Sequence, residues 1–228
     1  MNHAPRPAER HAERQAERGN VMFYIFLAVA LFGALSFAVS QSSRNTGDSG
    51  IQQQNRLRAT EIIDYGDTVA KGVGMLRLRG VSLATLSFSS TGTTEKDVFA
   101  IDGGGVNLRR PSSDVTTTGT ETYQILTGNA VNGVGTTCTL DSCTEILLVL
   151  AQVKLPVCTA INQLAGINPP DYAPPYDADF DVTHPYTGTL NYTKTLSAAP
   201  LTGQMYGCFT VSTADPKNYY YYRVLVQQ

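Results

Sequence analysis

The apolar positions of the chain fall into one uninterrupted run near its start and shorter, patterned groups after it. The run, Val21 to Val39, is nineteen residues long and contains neither a charge nor a proline. A helix rises about 1.5 Å per residue, so this run nearly crosses the apolar core of a bilayer. A polar stretch rich in turn residues, SQSSRNTGDSG, follows at positions 40–50. The pattern predicts a transmembrane helix and polar break over residues 20–44.

An amphipathic helix is predicted next, over residues 45–79. Its apolar positions recur mostly every three or four residues, which is the helical period: Ile51, Leu57, Ile62, Tyr65, Val69, Val73 and Leu76. Gly66, Gly72 and Gly74 each weaken a helix by about 1 kcal/mol relative to alanine. We expect Gly47 and Gly50 to melt or kink the join between the two helical segments.

The pattern changes to that of strands after residue 80. Strands are predicted in VSLATLSFSS (81–90), on both sides of the glycine turn in KDVFAIDGGGVNLRRP (96–111), and at the start of ETYQILTGNAVNGVG (121–135). The three glycines have neither spacing of a phosphate-binding loop, so they predict a turn. Residues 145–167 begin as a buried strand and continue as a short helix near Pro156–Leu164, with Gly166 close to its end.

The last part of the chain combines an irregular loop with a strong strand. Residues 168–188 contain five prolines and are predicted to be an extended loop. The C-terminal YYYYRVLVQQ alternates its side chains between two faces of a strand, and its tyrosines are expected to pack within a sheet. The predicted fold class is α+β, with a long N-terminal helix followed by an antiparallel β-rich head at 80–228.

Charge is sparse and unevenly placed. Charged residues make up 16% of the chain, against about 25% in typical soluble domains. Four arginines and three glutamates precede the apolar run, which leaves 13 basic and 16 acidic residues after it. That balance offers no basic patch for nucleic acid. The positive-inside rule puts the N-terminus in the cytoplasm and the head outside.

All four cysteines follow the apolar run, in the part that would be exported. An even number there favours an oxidising compartment and two disulfides. Three pairings are possible, of which we favour Cys138–Cys143 and Cys158–Cys208. Four reduced, buried thiols are the alternative, and zinc is disfavoured because no CxxC or Cys/His spacing occurs.

The candidate chemistry of the head is limited. Asp177, Asp179 and Asp181 alternate in a way that could wrap Ca²⁺, but the frame of a calcium loop then fails, so a solvated acidic loop is the alternative. The only histidine of the head, His184, precedes Pro185 and is expected to be a solvated loop side chain. No motif of a hydrolase or metalloprotease occurs. We therefore predict that the chain is not an enzyme.

The charged leader ends in Gly19, directly before the apolar helix. This arrangement resembles the class III leader of type IV prepilins and pseudopilins, which implies a cytoplasmic leader at 1–19 and cleavage by prepilin peptidase between Gly19 and Asn20. Such proteins usually carry glutamate at the fifth mature position, where this chain has Tyr24. Members without that glutamate tend to be minor or tip components. A cleaved secretory signal ending before Gln41 and a plain uncleaved anchor are the alternatives.

Later segments extend the resemblance. ATEIIDYGDTVAKGVGMLRLRGVSLATLSFSS, LPVCTAINQLAGI and GCFTVS with NYYYYRVLVQ, in that order, resemble uncharacterised pilin-like membrane proteins of alphaproteobacterial type. The resemblance supports the pairing of Cys158 with Cys208, and relatives' further cysteines near Val81 and Val98 are absent here.

The implied function is that of a minor or tip pilin-like subunit of the inner membrane. Its head would be periplasmic, or on the cell surface in a filament. Its partners would be other pilin-like subunits or export machinery. The alternative is a single-pass anchored periplasmic binding module that does not polymerise.

Overall fold

The computed structural model describes residues 9–135, 144–190 and 193–227. Its elements in chain order are α1 (Glu9–Leu78), β1 (Gln124–Leu126), β2 (Asn129–Val131), β3 (Ile146–Leu150), α2 (Leu155–Ala165), β4 (Lys194–Leu196), β5 (Tyr206–Thr210) and β6 (Tyr219–Val226). The chain divides into two compact units, Met1–Ile51 and Gln52–Gln228. The α+β class with an N-terminal helix and an antiparallel sheet is therefore confirmed.

Helix α1 is continuous in its backbone from Glu9 to Leu78. Residues 40–50, where the sequence predicts a polar break, are helical, and the amphipathic segment does not begin as a separate helix at residue 45. The helix continues because polar side chains are compatible with helical geometry and each glycine destabilises it by only about 1 kcal/mol relative to alanine. The boundary between the two compact units nevertheless falls at Ile51, one residue beyond this stretch.

Within the second unit, α1 lies against the sheet along one face. Its buried side chains are Ala59, Ile62, Ile63, Tyr65, Val69, Val73 and Leu76, which confirms most of the predicted apolar stripe. Ile51 and Leu57, predicted on the same face, are instead 59% and 63% exposed. The packed part of the helix thus begins near Ala59.

Four strands form an antiparallel sheet in the order β1-β3-β6-β5. Strand β6 separates two apolar clusters: Tyr221 lies in the cluster that includes α1 and α2, and Tyr222 lies in the cluster on the other face with Phe209. Both tyrosines are fully buried. The sheet-packing role predicted for the tyrosine run is confirmed, as are the buried strand and short helix of residues 145–167.

The proline-rich loop 168–188 covers both edges of this sheet. At β5, the N–H of Thr210 donates to the carbonyl of Pro175, and the N–H of Asp177 donates to the carbonyl of Thr210, both at 2.9 Å. At β1, the N–H of Tyr186 donates to the carbonyl of Ile125, also at 2.9 Å. A second sheet pairs β2 with β4 in parallel. The main-chain groups of Thr210 and Ile125 that face outward from the four-stranded sheet are thus unavailable to another strand.

Residues 81–111 do not form the strands that the sequence predicts. A 3-10 turn spans Leu83–Thr85, and the segment then folds around the carboxylate of Asp97, which is 1% exposed. That carboxylate accepts from Ser87 Oγ, from the N–H of Ser89 and from the N–H of Phe99, each at 2.8 Å. These local bonds replace strand pairing. The predicted glycine turn is confirmed at 101–104.

Candidate functional site

The apolar segment Val21–Ala38 of α1 is long and apolar enough to cross a membrane. Every described side chain within it is exposed, including those of Phe26 and Phe32, at 71% and 75%. A helix that is apolar around its whole circumference needs lipid or neighbouring helices to cover it. Among the described residues, most of the exposed large apolar side chains lie in this segment.

The predicted cleavage positions Gly19 and Asn20 lie inside α1. The structure gives their backbone as helical, and the cut between them stays a prediction. Tyr24, five positions after the predicted cut, is 61% exposed within the apolar segment. A neutral side chain at this depth avoids the cost of burying a carboxylate in lipid.

One of the two favoured disulfides is confirmed. Cys158 and Cys208 are bonded, with 5.4 Å between their Cα atoms and a separation of 50 residues. The bond joins α2 to the edge strand β5, and both cysteines are fully buried. Cys138 and Cys143 lie outside the described residues, so their pairing stays a prediction.

The three alternating aspartates tie the proline-rich loop to the rest of the head. Asp177, 5% exposed, accepts through Oδ2 from the N–H groups of Ser197 and Ala198 at 2.6 and 2.7 Å. Its Oδ1 accepts from the N–H of Asp179 at 2.9 Å. Asp179 is itself paired with Lys194 at 3.1 Å on the surface. The first two carboxylates are thus occupied by protein donors.

Asp181 is held most firmly of the three. Its Oδ2 accepts from His184 Nδ1 and from Thr193 Oγ1, and its Oδ1 accepts from Thr183 Oγ1, each at 2.6 Å. Burial opposes ionisation of this carboxyl, but these hydrogen bonds outweigh burial and lower the pKa of Asp181 well below its ordinary value. His184, predicted to be a solvated side chain, is therefore bonded to a carboxylate.

The structure directs Asp177, Asp179 and Asp181 at protein donors, and the calcium site stays a prediction. Among residues 9–135, 144–190 and 193–227, no group of three or more His, Cys, Asp or Glu side chains is placed to hold a metal ion. The reason is the set of bonds just described, because each carboxylate is directed at its own protein donors. In the structure, the three alternating aspartates attach the proline-rich loop to the rest of the head.

Glu145 is a buried acid that the sequence reasoning missed. Its side chain is 2% exposed, and its Oε2 accepts from the N–H of Val131 at 2.9 Å. Burial raises the pKa of Glu145 to about 7 despite that hydrogen bond. Glu145 directly precedes β3. The feature of the sequence that could have indicated its burial is its position next to the apolar run ILLVL.

A cavity of about 380 Å³ opens on the α1 side of the sheet. Ile125 of β1 and Leu148 of β3 contribute apolar lining. Phe88, Phe99 and Tyr186 form aromatic walls: the ring centroid of Phe88 lies 6.3 Å from that of Phe99 and 5.7 Å from that of Tyr186, both edge to face. No sequence pattern predicts this pocket, because its walls come from segments that are distant along the chain.

No protein-family model, curated protein or solved structure matches the chain. The resemblance to pilin-like proteins therefore stays a prediction, based on Gly19, the apolar helix and the later segments. The candidate features that rest on geometry are three: the bare apolar helix, the closed sheet edges and the aromatic cavity.

Proposed function

We propose that the chain is a pilin-like structural subunit, a minor or tip component, that assembles through its apolar N-terminal helix. The observation that carries the proposal is the segment Val21–Ala38, which belongs to the same helix α1 whose later residues pack on the sheet. Neighbouring helices in an assembly would keep the apolar surface of that segment out of water, which is worth up to about 25 cal/mol per Å² relative to exposure.

The closed sheet edges support assembly through the helix rather than through strands. Main-chain groups of β1 and β5 are bonded to the proline-rich loop, at Ile125 and Thr210. Such edges resist addition of a strand from another copy. Among the described residues, the large apolar surface left open is that of α1.

The proposal is tested by the mature N-terminus. The full chain is expressed with a prepilin peptidase, and its intact mass is measured. We expect loss of residues 1–19 and a chain that begins at Asn20, because cleavage on the cytoplasmic side leaves the apolar helix attached. The same mature chain is expected in filaments released by shearing.

Two glycine variants make the test specific. Gly19→Val places a β-branched side chain at the predicted cut and should leave the leader attached. Gly33→Val changes a glycine of the same helix where a Cβ would meet nothing within 4 Å, and it should be processed normally. A wild-type chain that starts at Met1 or at Gln41 contradicts the proposal and indicates a plain anchor or a secreted protein.

The second candidate function is a membrane-anchored binding module that does not polymerise. The aromatic cavity is the observation that favours it, since a subunit held only by its helix needs no such pocket. A chain beginning at Met1 that is absent from sheared filaments would support this alternative.

A further inference from the structure

The cavity of about 380 Å³ has the size and lining of a small-molecule site. Pockets that enclose small ligands span about 300–1,000 Å³ and are mostly apolar, with a few polar groups that orient the ligand. Here the apolar part is the pair Ile125 and Leu148 with the rings of Phe88, Phe99 and Tyr186. Rings set edge to face offer both ring edges and a face to a further flat ring system.

Two adjacent arginines supply the polar part. Arg109 and Arg110 line the cavity together with Ser90 and Thr122. Both arginines are exposed, and no ion pair or hydrogen bond of either guanidinium is formed within the described residues. No acidic side chain is found among the residues that line this cavity.

Two acidic residues line a smaller cavity beside Arg109, and one of them is paired with another arginine. Glu61 and Asp64 line a smaller cavity of about 220 Å³ that Arg109 also borders. Glu61 is already paired with Arg58, whose Nη1 lies 2.9 Å from its Oε2. The positive charge of Arg109 and Arg110 is therefore not matched inside the aromatic cavity.

We propose that this cavity binds a small aromatic anion, a flat ring system that carries a carboxylate or sulfonate group. The rings lie among Phe88, Phe99 and Tyr186, and the anionic group accepts hydrogen bonds from Arg109 and Arg110. A planar guanidinium matches such groups with two parallel N–H donors. This site is distinct from the apolar helix and holds whether or not the chain forms a filament.

The test uses the full chain in lipid nanodiscs and equilibrium dialysis against naphthalene-2-sulfonate. Empty nanodiscs give the amount of probe that partitions into lipid. Naphthalene-2-sulfonamide has the same rings with a neutral head group, so it isolates the contribution of the charge. We expect saturable binding of the sulfonate at one site, with the sulfonamide about tenfold weaker.

Three variants locate the site. Arg109→Gln with Arg110→Gln should weaken binding of the sulfonate about tenfold and leave the sulfonamide unchanged. Thr122→Trp, which adds bulk to the lining, should abolish binding of both probes. Arg77→Gln removes the same charge from an exposed position that does not line the cavity, and should bind both probes as the wild type does.

The thermal melting and far-UV circular dichroism of each variant establish that it is folded. Sulfonate retention no greater than that of empty nanodiscs overturns the proposal. Equal binding of the sulfonate by the wild type, the arginine variant and the tryptophan variant also overturns it, because the probe would then lie elsewhere.

Discussion

Glu145 carries a carboxyl group into the interior of the second unit. Its folded pKa of about 7 lies above the ordinary value of 4.5 because burial disfavours the charged form. Below pH 4.5 the folded and unfolded chains are both protonated at this residue. As the pH rises from about 4.5 to 7, the unfolded chain releases the proton first, so stability falls across that interval.

We therefore predict that Glu145→Gln stabilises the second unit at pH 8 by up to about 3 kcal/mol, and much less at pH 4. Glutamine keeps an oxygen for the N–H of Val131 but cannot ionise. Thermal denaturation followed by circular dichroism from pH 4 to 8 measures the effect. Glu95→Gln, at an exposed position, is the control, and a Glu145→Gln curve parallel to the wild type would refute the prediction.

The side chain of Asn162 forms hydrogen bonds with main-chain groups at the outer edge of β5. Its fully buried side chain donates through Nδ2 to the carbonyl of Cys208 and accepts through Oδ1 from the N–H of Cys208, both at 2.9 Å. The amide thus satisfies both outward-facing main-chain groups of one residue. Without it, two buried polar groups would lose their partners.

Asn162→Ala should accordingly lower the free energy of unfolding by about 2–4 kcal/mol. Denaturant unfolding of the full chain in nanodiscs provides the measurement, and hydrogen exchange at the Cys208 amide should accelerate. Gln163→Ala changes the exposed neighbour on the same helix and should cost less than about 0.5 kcal/mol. Similar losses for the two variants would show that the edge contact is unimportant.

At the scale of the element, two glycines of α1 allow close packing, Gly66 against strand β6 and Gly72 against the segment 81–111. A Cβ at Gly66 would overlap the hydroxyl of Tyr221 and lie 3.2 Å from Cγ of Arg223. At Gly72 it would lie 2.5 Å from Cγ2 of Val106. Gly74, on the open side, would meet nothing within 4 Å. Two of the three glycines therefore give close packing in return for their lower helix propensity.

Gly66→Ala is expected to destabilise the second unit by about 1–3 kcal/mol through overpacking. Gly74→Ala should instead stabilise it by about 0.5–1 kcal/mol, because only helix propensity changes. Adding Tyr221→Phe to Gly66→Ala removes the atom that the new Cβ overlaps and should restore part of the loss. The measurement is the melting temperature of the wild type, the two single variants and the double variant. If Tyr221→Phe restores none of the stability lost in Gly66→Ala, the overlap with the Tyr221 hydroxyl is not the cause.

Sequence patterns predicted the elements whose signals are local. The run ILLVL, the proline at the start of α2 and Gly166 at its end each act within a few residues, and Gly166 adopts the left-handed conformation with φ 70°. The strands predicted in residues 81–111 were wrong. The carboxylate of Asp97 forms hydrogen bonds that compete with strand pairing, and strand propensities do not include such bonds. The aromatic cavity was unpredictable for a similar reason, since it joins Phe88, Arg110 and Tyr186 only in three dimensions.

At the scale of the whole molecule, the disulfide and the apolar segment together predict the orientation of the chain across a membrane. Disulfides such as Cys158–Cys208 form and persist in oxidising compartments. The leader before Val21 carries four arginines, for which the positive-inside rule predicts a cytoplasmic position. The segment Val21–Ala38, which is long and apolar enough to cross a membrane, lies between these two parts of the chain. The leader and the head should then face opposite sides of one membrane.

Cysteine labelling in intact cells tests this topology with one reagent. Ser90→Cys, at an exposed position in the head, should react with a membrane-impermeant maleimide once the outer envelope is opened. His11→Cys, in the leader, is combined with Gly19→Val so that the leader stays attached. It should react only after the inner membrane is permeabilised, because the positive-inside rule predicts a cytoplasmic leader. The chain without an added cysteine is the control, because it measures any labelling of Cys138, Cys143, Cys158 and Cys208 themselves. Labelling of His11→Cys before Ser90→Cys would reverse the orientation and remove the basis for assembly through α1.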